Sequence, residues 1–142
     1  MQEALKEAKV AYSHQEVPVG ALIVYQNEII ARAYNQKEEF QDPTAHAEIL
    51  VIQKAAQYFR NWHLEDTTLY VTLEPCPMCA YAILQARIKR LVFGAVDPKT
   101  GAVGSIINIV QDKRFNHQVE IENGILEEEC RFILQKFFQE RR

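Results

Sequence analysis

The spacing of apolar residues changes along the first third of the chain. Over residues 3 to 14 the apolar positions recur with helical spacing, which predicts a helix. Two apolar runs follow at residues 19 to 25 and 28 to 34, and a short polar turn separates them. Runs of this length on either side of such a turn predict a β-hairpin.

The rest of the chain alternates between strand-like and helix-like segments. We predict strands over residues 68 to 73, 90 to 95 and 118 to 122, and helices over residues 43 to 58, 78 to 86, 105 to 111 and 125 to 140. The first of these helices has Asp42 as a candidate N-cap and Pro43 at its first position. Strands that alternate with helices predict an α/β fold, with helices on both faces of one mixed sheet.

Length and composition limit the class of protein. The 142 residues fit a single domain spanning residues 1 to 142, and 48% hydrophobic with 25% charged residues is ordinary for a globular protein. The apolar runs fall short of the roughly 20 residues that a membrane helix needs. The first residues lack the apolar segment of a signal peptide. We therefore expect a cytoplasmic protein with no membrane partner.

The charge is unevenly distributed. The net charge of −3 argues against a nucleic-acid partner, but residues 87 to 117 hold six basic and two acidic side chains, a local charge of +4. Such a segment is compatible with phosphate contacts. On charge alone, however, a solvated surface on which basic residues cluster by chance is the favoured interpretation.

Two short segments carry the candidate chemistry. Cys76 and Cys79 lie three residues apart at a predicted helix start, where both thiols can reach one metal ion and the helix end favours their thiolate forms. His46, near a second helix start, adds a third ligand. Thiolate and imidazole donors suit zinc. Three protein ligands leave the fourth position of tetrahedral zinc open, which is typical of a catalytic site, so we expect one Zn²⁺ per chain.

Glu48 is the candidate for moving protons at this site. Zinc lowers the pKa of a bound water to about 7, and attack on a ring carbon then needs a group that carries a proton to the ring and the leaving amine. Residues i and i+2 of a helix do not share a face, so His46 and Glu48 can serve one site only at the tip of the helix. There the backbone N–H of Ala47 is available to the attacking oxygen.

Each segment alone has other interpretations. A lone Cys-x-x-Cys is also typical of a redox pair, and His-x-Glu occurs by chance. Together they form the pattern H-x-E…P-C-x-x-C of zinc deaminases. A structural zinc site would need a fourth Cys or His nearby. Cys130 lies far along the chain in an amphipathic segment, and we predict that it is a core residue.

These motifs belong to a longer resemblance that covers nearly the whole chain. The segments that carry it are residues 16 to 21 (EVPVGA), 42 to 49 (DPTAHAEI), 61 to 62 (NW), 69 to 79 (LYVTLEPCPMC), 85 to 88 (QARI), 93 to 95 (FGA), 97 to 102 (DPKTGA), 116 to 117 (NH) and 137 to 138 (FF). By these segments the chain resembles the bacterial tRNA-specific adenosine deaminases, a family with the cytidine deaminase-like fold.

The resemblance implies a fold, an assembly and a reaction. The fold would be a three-layer α/β/α arrangement around a five-stranded mixed sheet, assembled as a homodimer. The substrate would be the adenosine at wobble position 34 in the anticodon stem-loop of tRNA. Metal-activated water would attack C6 while Glu48 shuttles protons, giving inosine and ammonia. Bases in an anticodon loop are already splayed, so flipping one out costs less than in a duplex.

The resemblance also implies roles for four substrate-binding residues. Asn35 would hydrogen-bond the flipped base, and a backbone carbonyl near Glu74 would receive the leaving amino group. Asp97 and Lys99 would meet the neighbouring ribose and phosphates. Both lie within the basic segment 87 to 117.

Two other functions remain open on the residues alone. The first is a free-base or nucleoside deaminase acting on cytosine, cytidine or guanine, which would have no use for phosphate contacts near Lys99. The second is an inactive zinc-bearing module that binds RNA. Glu48 argues against the second, because a binding module has no use for a proton carrier.

Overall fold

A computed structural model describes residues 1–141 of the chain. The helices are α1 (Gln2–Ser13), α2 (Lys37–Phe40), α3 (Ala47–Phe59), α4 (Pro77–Gln85) and α5 (Glu127–Gln139). The strands are β1 (Gly20–Tyr25), β2 (Glu28–Tyr34), β3 (Thr68–Leu73), β4 (Arg90–Ala95) and β5 (Glu120–Asn123). Within this described part, no helix combines the length and the apolar character needed to cross a membrane.

The five strands form one mixed sheet in the order β2-β1-β3-β4-β5. The β1–β2 hairpin and the β1–β3 pair are antiparallel, whereas β3–β4 and β4–β5 are parallel. Parallel neighbours require crossover connections, and α4 provides the one between β3 and β4. The predicted α/β fold with a five-stranded mixed sheet is confirmed.

Helices cover both faces of this sheet. On one face α3 and α4 pack together over the main core, to which β1, β3 and β4 contribute alternate residues such as Ile23, Val71 and Phe93. On the other face α1 packs beside α5, and Leu5, Ala95 and Cys130 form a smaller core. Strand β4 is buried almost along its whole length, as expected for a central strand covered on both faces.

Cys130 is fully buried in the smaller core, so its prediction as a core residue is confirmed. Its sulfur lies against Gly94 of β4, where any added Cβ would collide with it. Helix α5 therefore approaches the sheet closely at this point, and a larger residue at position 94 would force the helix away.

Helix α3 begins four residues later than predicted. Asp42 does not cap it; instead Asp42 Oδ1 accepts hydrogen bonds from the backbone N–H of Thr44 (2.8 Å) and from its hydroxyl (2.7 Å). Asp42 thus closes a local turn, a common alternative to helix capping for Asp. The preceding segment, predicted as loop, holds the short helix α2.

The helix predicted over residues 105 to 111 is wrong. These residues form turns, and a single β-bridge joins Val103 to Asn108. The backbone N–H of Ser105 bonds to the Glu74 carboxylate (3.1 Å), and Ile106 N–H bonds to Gly101 (2.9 Å). The backbone N–H of Ile109, which in a helix would bond to the carbonyl of Ser105, bonds to Ala102 instead (3.0 Å).

Candidate active site

The start of α3 presents His46 and Glu48 to the same place. His46 is the N-cap, with an extended backbone (φ −73°, ψ 151°), and Glu48 is the second residue of the helix proper. The His46 side chain therefore does not follow the helical rotation. Two residues spaced i, i+2 within a helix do not share a face. Because His46 lies just outside the helix, this restriction does not apply to His46 and Glu48.

The start of α4 is arranged in a similar way. Strand β3 ends at Leu73, and Cys76 is the N-cap of α4 with an extended backbone (φ −74°, ψ 173°). Pro77 occupies the first helical position, where its missing N–H leaves no bond unmade. Cys79 is the third residue of the helix, one turn from Cys76, so both thiols lie at the same helix tip.

The three predicted ligands come together in the fold. His46 Nδ1 lies 3.7 Å from Cys76 Sγ and 3.4 Å from Cys79 Sγ. All three donor atoms lie within 4.8 Å of one another. A tetrahedral zinc ion, with bonds of about 2.0 Å to nitrogen and 2.3 Å to sulfur, would place such atoms about 3.6 Å apart. The cluster therefore has the donors and the spacing to hold a metal ion.

The cluster favours one thiolate. A hydrogen bond from the Cys79 thiol, together with one from His46, lowers the pKa of Cys76 to about 4. The same bond to Cys76, with burial, raises the pKa of Cys79. Hydrogen bonding to Cys76 also raises the pKa of His46. Negative charge thus gathers on Cys76 at the positive end of α4, which favours a cation between these groups.

Glu48 is buried beside the cluster, with 4% of its surface exposed. Burial raises the pKa of its carboxyl to about 7, although a hydrogen bond to the Glu48 backbone N–H opposes the shift. A carboxyl that titrates near neutrality can both accept and release a proton at physiological pH.

A narrow cavity of about 150 Å³ opens onto these groups. Pockets that enclose a whole small-molecule ligand measure about 300–1,000 Å³, so this cavity suits a single ring system. Of the residues given substrate-binding roles above, Asn35, Ala47, Glu74 and Asp97 line this cavity, and the exposed Lys99 lies outside it. A wider groove of about 800 Å³ lies between α1 and α5, away from the cluster.

Lys37 and Thr100 also line the cavity, and neither was predicted as a site residue from the sequence. Thr100 lies in the motif DPKTGA, which offered a signal. Lys37 lies in α2, which was predicted as loop, and only the folded chain brings it to the cavity.

Asn35 and Asp97 have partners within the protein. The Asn35 amide donates to Val17 O (3.2 Å), and its oxygen accepts from Lys37 N–H (3.2 Å). Asp97 accepts from the N–H groups of Lys99 (3.0 Å) and Thr100 (3.2 Å), and from the Thr100 hydroxyl (2.8 Å). One N–H of the Asn35 side-chain amide takes no part in these bonds. The Asp97 carboxylate, in contrast, is bonded to residues of its own loop.

A His-Cys-Cys cluster beside a buried glutamate, formed at two helix starts of a mixed α/β fold, defines the class of metal-dependent deaminases. All 142 residues match the model of the MafB19-like deaminase family. The chain is 54% identical to a tRNA-specific adenosine deaminase of Bacillus subtilis (strain 168), covering 100% of this chain and 88% of the relative. The chain belongs to the MafB19-like deaminases and, within them, to the tRNA-specific adenosine deaminases, which confirms the resemblance.

Solved structures agree with this placement. A chain from biochemical and structural studies of A-to-I editing by tRNA:A34 deaminases at the wobble position of transfer RNA superposes with a TM-score of 0.91. The two are 46% identical over 94% of this chain and 97% of the other. Guanine deaminase from Nitrosomonas europaea superposes with a TM-score of 0.80 at 19% identity, over 96% of this chain and 81% of the other, which shows a shared fold.

Proposed function

We propose that this protein deaminates the adenosine at wobble position 34 of tRNA to inosine, with release of ammonia. The observation that carries the proposal is the His46–Cys76–Cys79 cluster beside Glu48, in a chain that is 54% identical over its full length to a tRNA-specific adenosine deaminase. The narrow cavity supports it, because a single flipped base could enter while the rest of the RNA stays outside.

The metal would be one Zn²⁺ per chain, held by His46, Cys76 and Cys79. When bound, zinc would act as a Lewis acid that brings the pKa of a water molecule to about 7. Mixed thiolate and imidazole donors favour zinc over the oxygen-seeking cations Mg²⁺ and Ca²⁺. Three protein ligands leave one position of tetrahedral zinc for water or substrate, which supports a catalytic site.

Glu48 would carry the protons. Its carboxylate would take a proton from water and deliver it to the ring nitrogen. It would then take the second proton from the new hydroxyl on C6 and deliver it to the leaving amine as the C–N bond breaks. The pKa of about 7 supports both directions of transfer. Ala47 is the first residue of α3, and a helix has no intrahelical acceptor for the N–H groups of its first turn. Its N–H would donate to the oxygen that joins C6.

The cavity wall would hold the base and its neighbours. Asn35 would use its remaining N–H on the base, and the backbone carbonyl of Glu74 would accept a hydrogen bond from the leaving amino group. Lys99 is exposed and free to reach a phosphate, and Asp97 lies beside it to meet the ribose. Lys37 adds a second positive charge at the cavity.

We further propose a cytoplasmic homodimer. Among the described residues, Ile106 and Ile107 are 59% and 47% exposed, and Tyr81 and Phe115 pack their rings 5.6 Å apart while 43% and 38% exposed. Exposed apolar side chains on neighbouring segments are typical of an interface. Light scattering coupled to size exclusion should give twice the 16.4 kDa chain mass.

The test is to incubate a tRNA transcript carrying adenosine at position 34 with the zinc-loaded protein, and to sequence it for inosine. Glu48→Gln is the matched control, because it keeps the shape of the side chain and removes the proton carrier. We expect turnover to fall by about 10²–10⁴-fold, with zinc and tRNA binding retained. Cytidine, cytosine and guanine serve as small substrates in parallel. Ammonia from one of these, without inosine in tRNA, would overturn the proposal.

A further inference from the structure

Two buried carboxylates beside the cavity have no part in the proposed chemistry. Glu16 is 1% exposed and Glu74 is 2% exposed. None of the ion pairs among residues 1–141 includes either of them. A buried carboxylate without a cation must be satisfied by hydrogen bonds. Both accept them from backbone N–H groups of segments that contribute residues to the cavity wall.

Glu74 holds the loop of residues 97 to 105. Its Oε1 accepts from Asp97 N–H (3.0 Å) and from the Ser105 hydroxyl. Its Oε2 accepts from Val103 N–H (3.0 Å) and Ser105 N–H (3.1 Å). Each oxygen therefore has two donors, and the carboxylate bridges both ends of the loop.

The loop packs directly onto this carboxylate. A Cβ added at Gly101 would collide with Glu74 Oε2, so the backbone there lies in contact with the carboxylate group. Asp97 and Thr100, from the same loop, line the cavity. The position of that part of the cavity wall thus depends on Glu74.

Glu16 holds the short helix α2 in a similar way. Its Oε1 accepts from Glu38 N–H (3.0 Å) and its Oε2 from Glu39 N–H (2.7 Å). These are residues of α2, whose own N-cap, Gln36, makes no side-chain cap bond. Glu16 therefore supplies the missing cap from another part of the chain. Lys37, the first residue of α2, lines the cavity.

We propose that Glu74 and Glu16 are positioning residues, each of which fixes one substrate-facing wall of the cavity through backbone N–H groups. The inference rests on the proposed function in that these walls are the ones that would meet the tRNA. Neither carboxylate touches the reacting atoms, so the effect passes through α2 and the loop of residues 97 to 105.

Glu74→Gln is the critical variant, because the side-chain amide keeps the shape but turns an N–H₂ group toward N–H donors. Glu16→Gln makes the same change at the other wall. Ser105→Ala is the milder variant for the first wall, because it removes the hydroxyl donor and leaves the three backbone donors. Glu120→Gln is the control, on an exposed position of β5.

Each variant is loaded with zinc, and amide hydrogen exchange, zinc content and kinetics on a tRNA anticodon stem-loop are measured. We expect faster exchange only in residues 97 to 105 for Glu74→Gln, and only around α2 for Glu16→Gln. Zinc content should be unchanged. Displacement of a wall by about 1 Å should lower kcat/KM by on the order of 10- to 100-fold, mostly through KM. Ser105→Ala should show the same pattern at smaller size.

The outcomes separate the two proposals. Unchanged exchange at residues 97 to 105, or a global loss of protection with no specific rise in KM, overturns the positioning role. If Glu74→Gln does not fold, Ser105→Ala decides on the same criteria. If exchange rises locally but the parent protein forms no inosine, the anchoring stands and the proposed tRNA deamination fails.

Discussion

The starts of α3 and α4 share one backbone arrangement but contribute different functional groups to the site. Each has an N-cap residue with an extended backbone, His46 or Cys76, and neither makes a side-chain cap bond. In α4 the second functional residue follows at i+3, and both thiols reach the same point. In α3 it follows at i+2, and Glu48 lines the same cavity as His46 without being one of the clustered donors.

The difference shows how spacing assigns roles at a helix start. An i, i+3 pair converges, so α4 supplies two donors for one ion. An i, i+2 pair that straddles the cap supplies one donor and, beside it, a buried acid. The capping residues that helices prefer are Ser, Thr, Asp and Asn, and replacing one typically costs about 1 kcal/mol. Both helix starts give up that stabilisation and place chemistry at the cap.

The largest expected effect is the loss of zinc when one of the two thiols of α4 is removed. Cys79→Ser should lose stoichiometric zinc and all activity, because zinc depends on the two thiolates. The loss of metal affinity should exceed the about 10–100-fold that accompanies loss of a hydrogen bond supporting a ligand. Zinc content by atomic absorption measures it, and Cys130→Ala, away from the cluster, should keep its zinc. A Cys79→Ser protein with one zinc per chain would contradict the ligand assignment.

A smaller effect is expected from Glu48, the buried acid of α3, on the pH dependence of folding stability. Burial raises the pKa of Glu48 from its ordinary 4.5 to about 7 in the protein without metal. Between these values the folded state holds a proton that the unfolded state has lost, so folding stability falls as pH rises from about 4.5 to about 7. Glu48→Gln cannot ionise and lacks this loss.

The measurement is urea unfolding of EDTA-treated parent and Glu48→Gln across that pH range. The free energy of unfolding of the parent, minus that of the variant, should fall as pH rises, by on the order of 3 kcal/mol at most. Besides the hydrogen bond to Cys76, the charge of Glu48 also raises the pKa of His46, so the difference includes the interaction between these two groups. Parallel curves for the two proteins would show that Glu48 does not titrate in this range.

The smallest expected effect concerns two prolines at predicted helix starts, Pro43 and Pro77. Pro77 is the first residue of α4, whereas Pro43 lies four residues before α3. Pro77→Ala should lower the free energy of unfolding by about 0.4–1 kcal/mol, because it frees the unfolded chain at a position where proline fits the helix. Pro43→Ala should not alter α3 itself. Urea unfolding followed by far-ultraviolet circular dichroism gives the free energy of unfolding of both variants. A larger loss of stability for Pro43→Ala than for Pro77→Ala would contradict the assigned helix starts.

Much of the fold was predictable because its signals are local. The strands at residues 68 to 73 and 90 to 95 were predicted with the bounds that the structure has, since β-branched and apolar runs between turn residues determine them. The start of α3 was misplaced because Asp42 and Pro43 carry a helix-start signal, which the turn at Thr44 uses instead. Local propensity cannot decide between two local structures that use the same residue.

The candidate site was predictable in its donors and less so in its walls. His46, Glu48, Cys76 and Cys79 are specified by residue type and spacing, and the fold brings them together. The structure of residues 105 to 111 depends on the Glu74 carboxylate, some thirty residues earlier in the sequence. The pattern of apolar residues within 105 to 111 gives no indication of this contact.

The burial of Cys130 against Gly94 makes this thiol a reporter of local opening. A labelling reagent can reach it only when α5 lifts from the sheet, and burial raises its pKa to about 11, so the closed state is unreactive. The rate at which Cys130 is labelled in zinc-loaded protein would therefore time the detachment of α5. That rate, compared with global unfolding, would tell whether the last helix is released alone or with the whole domain.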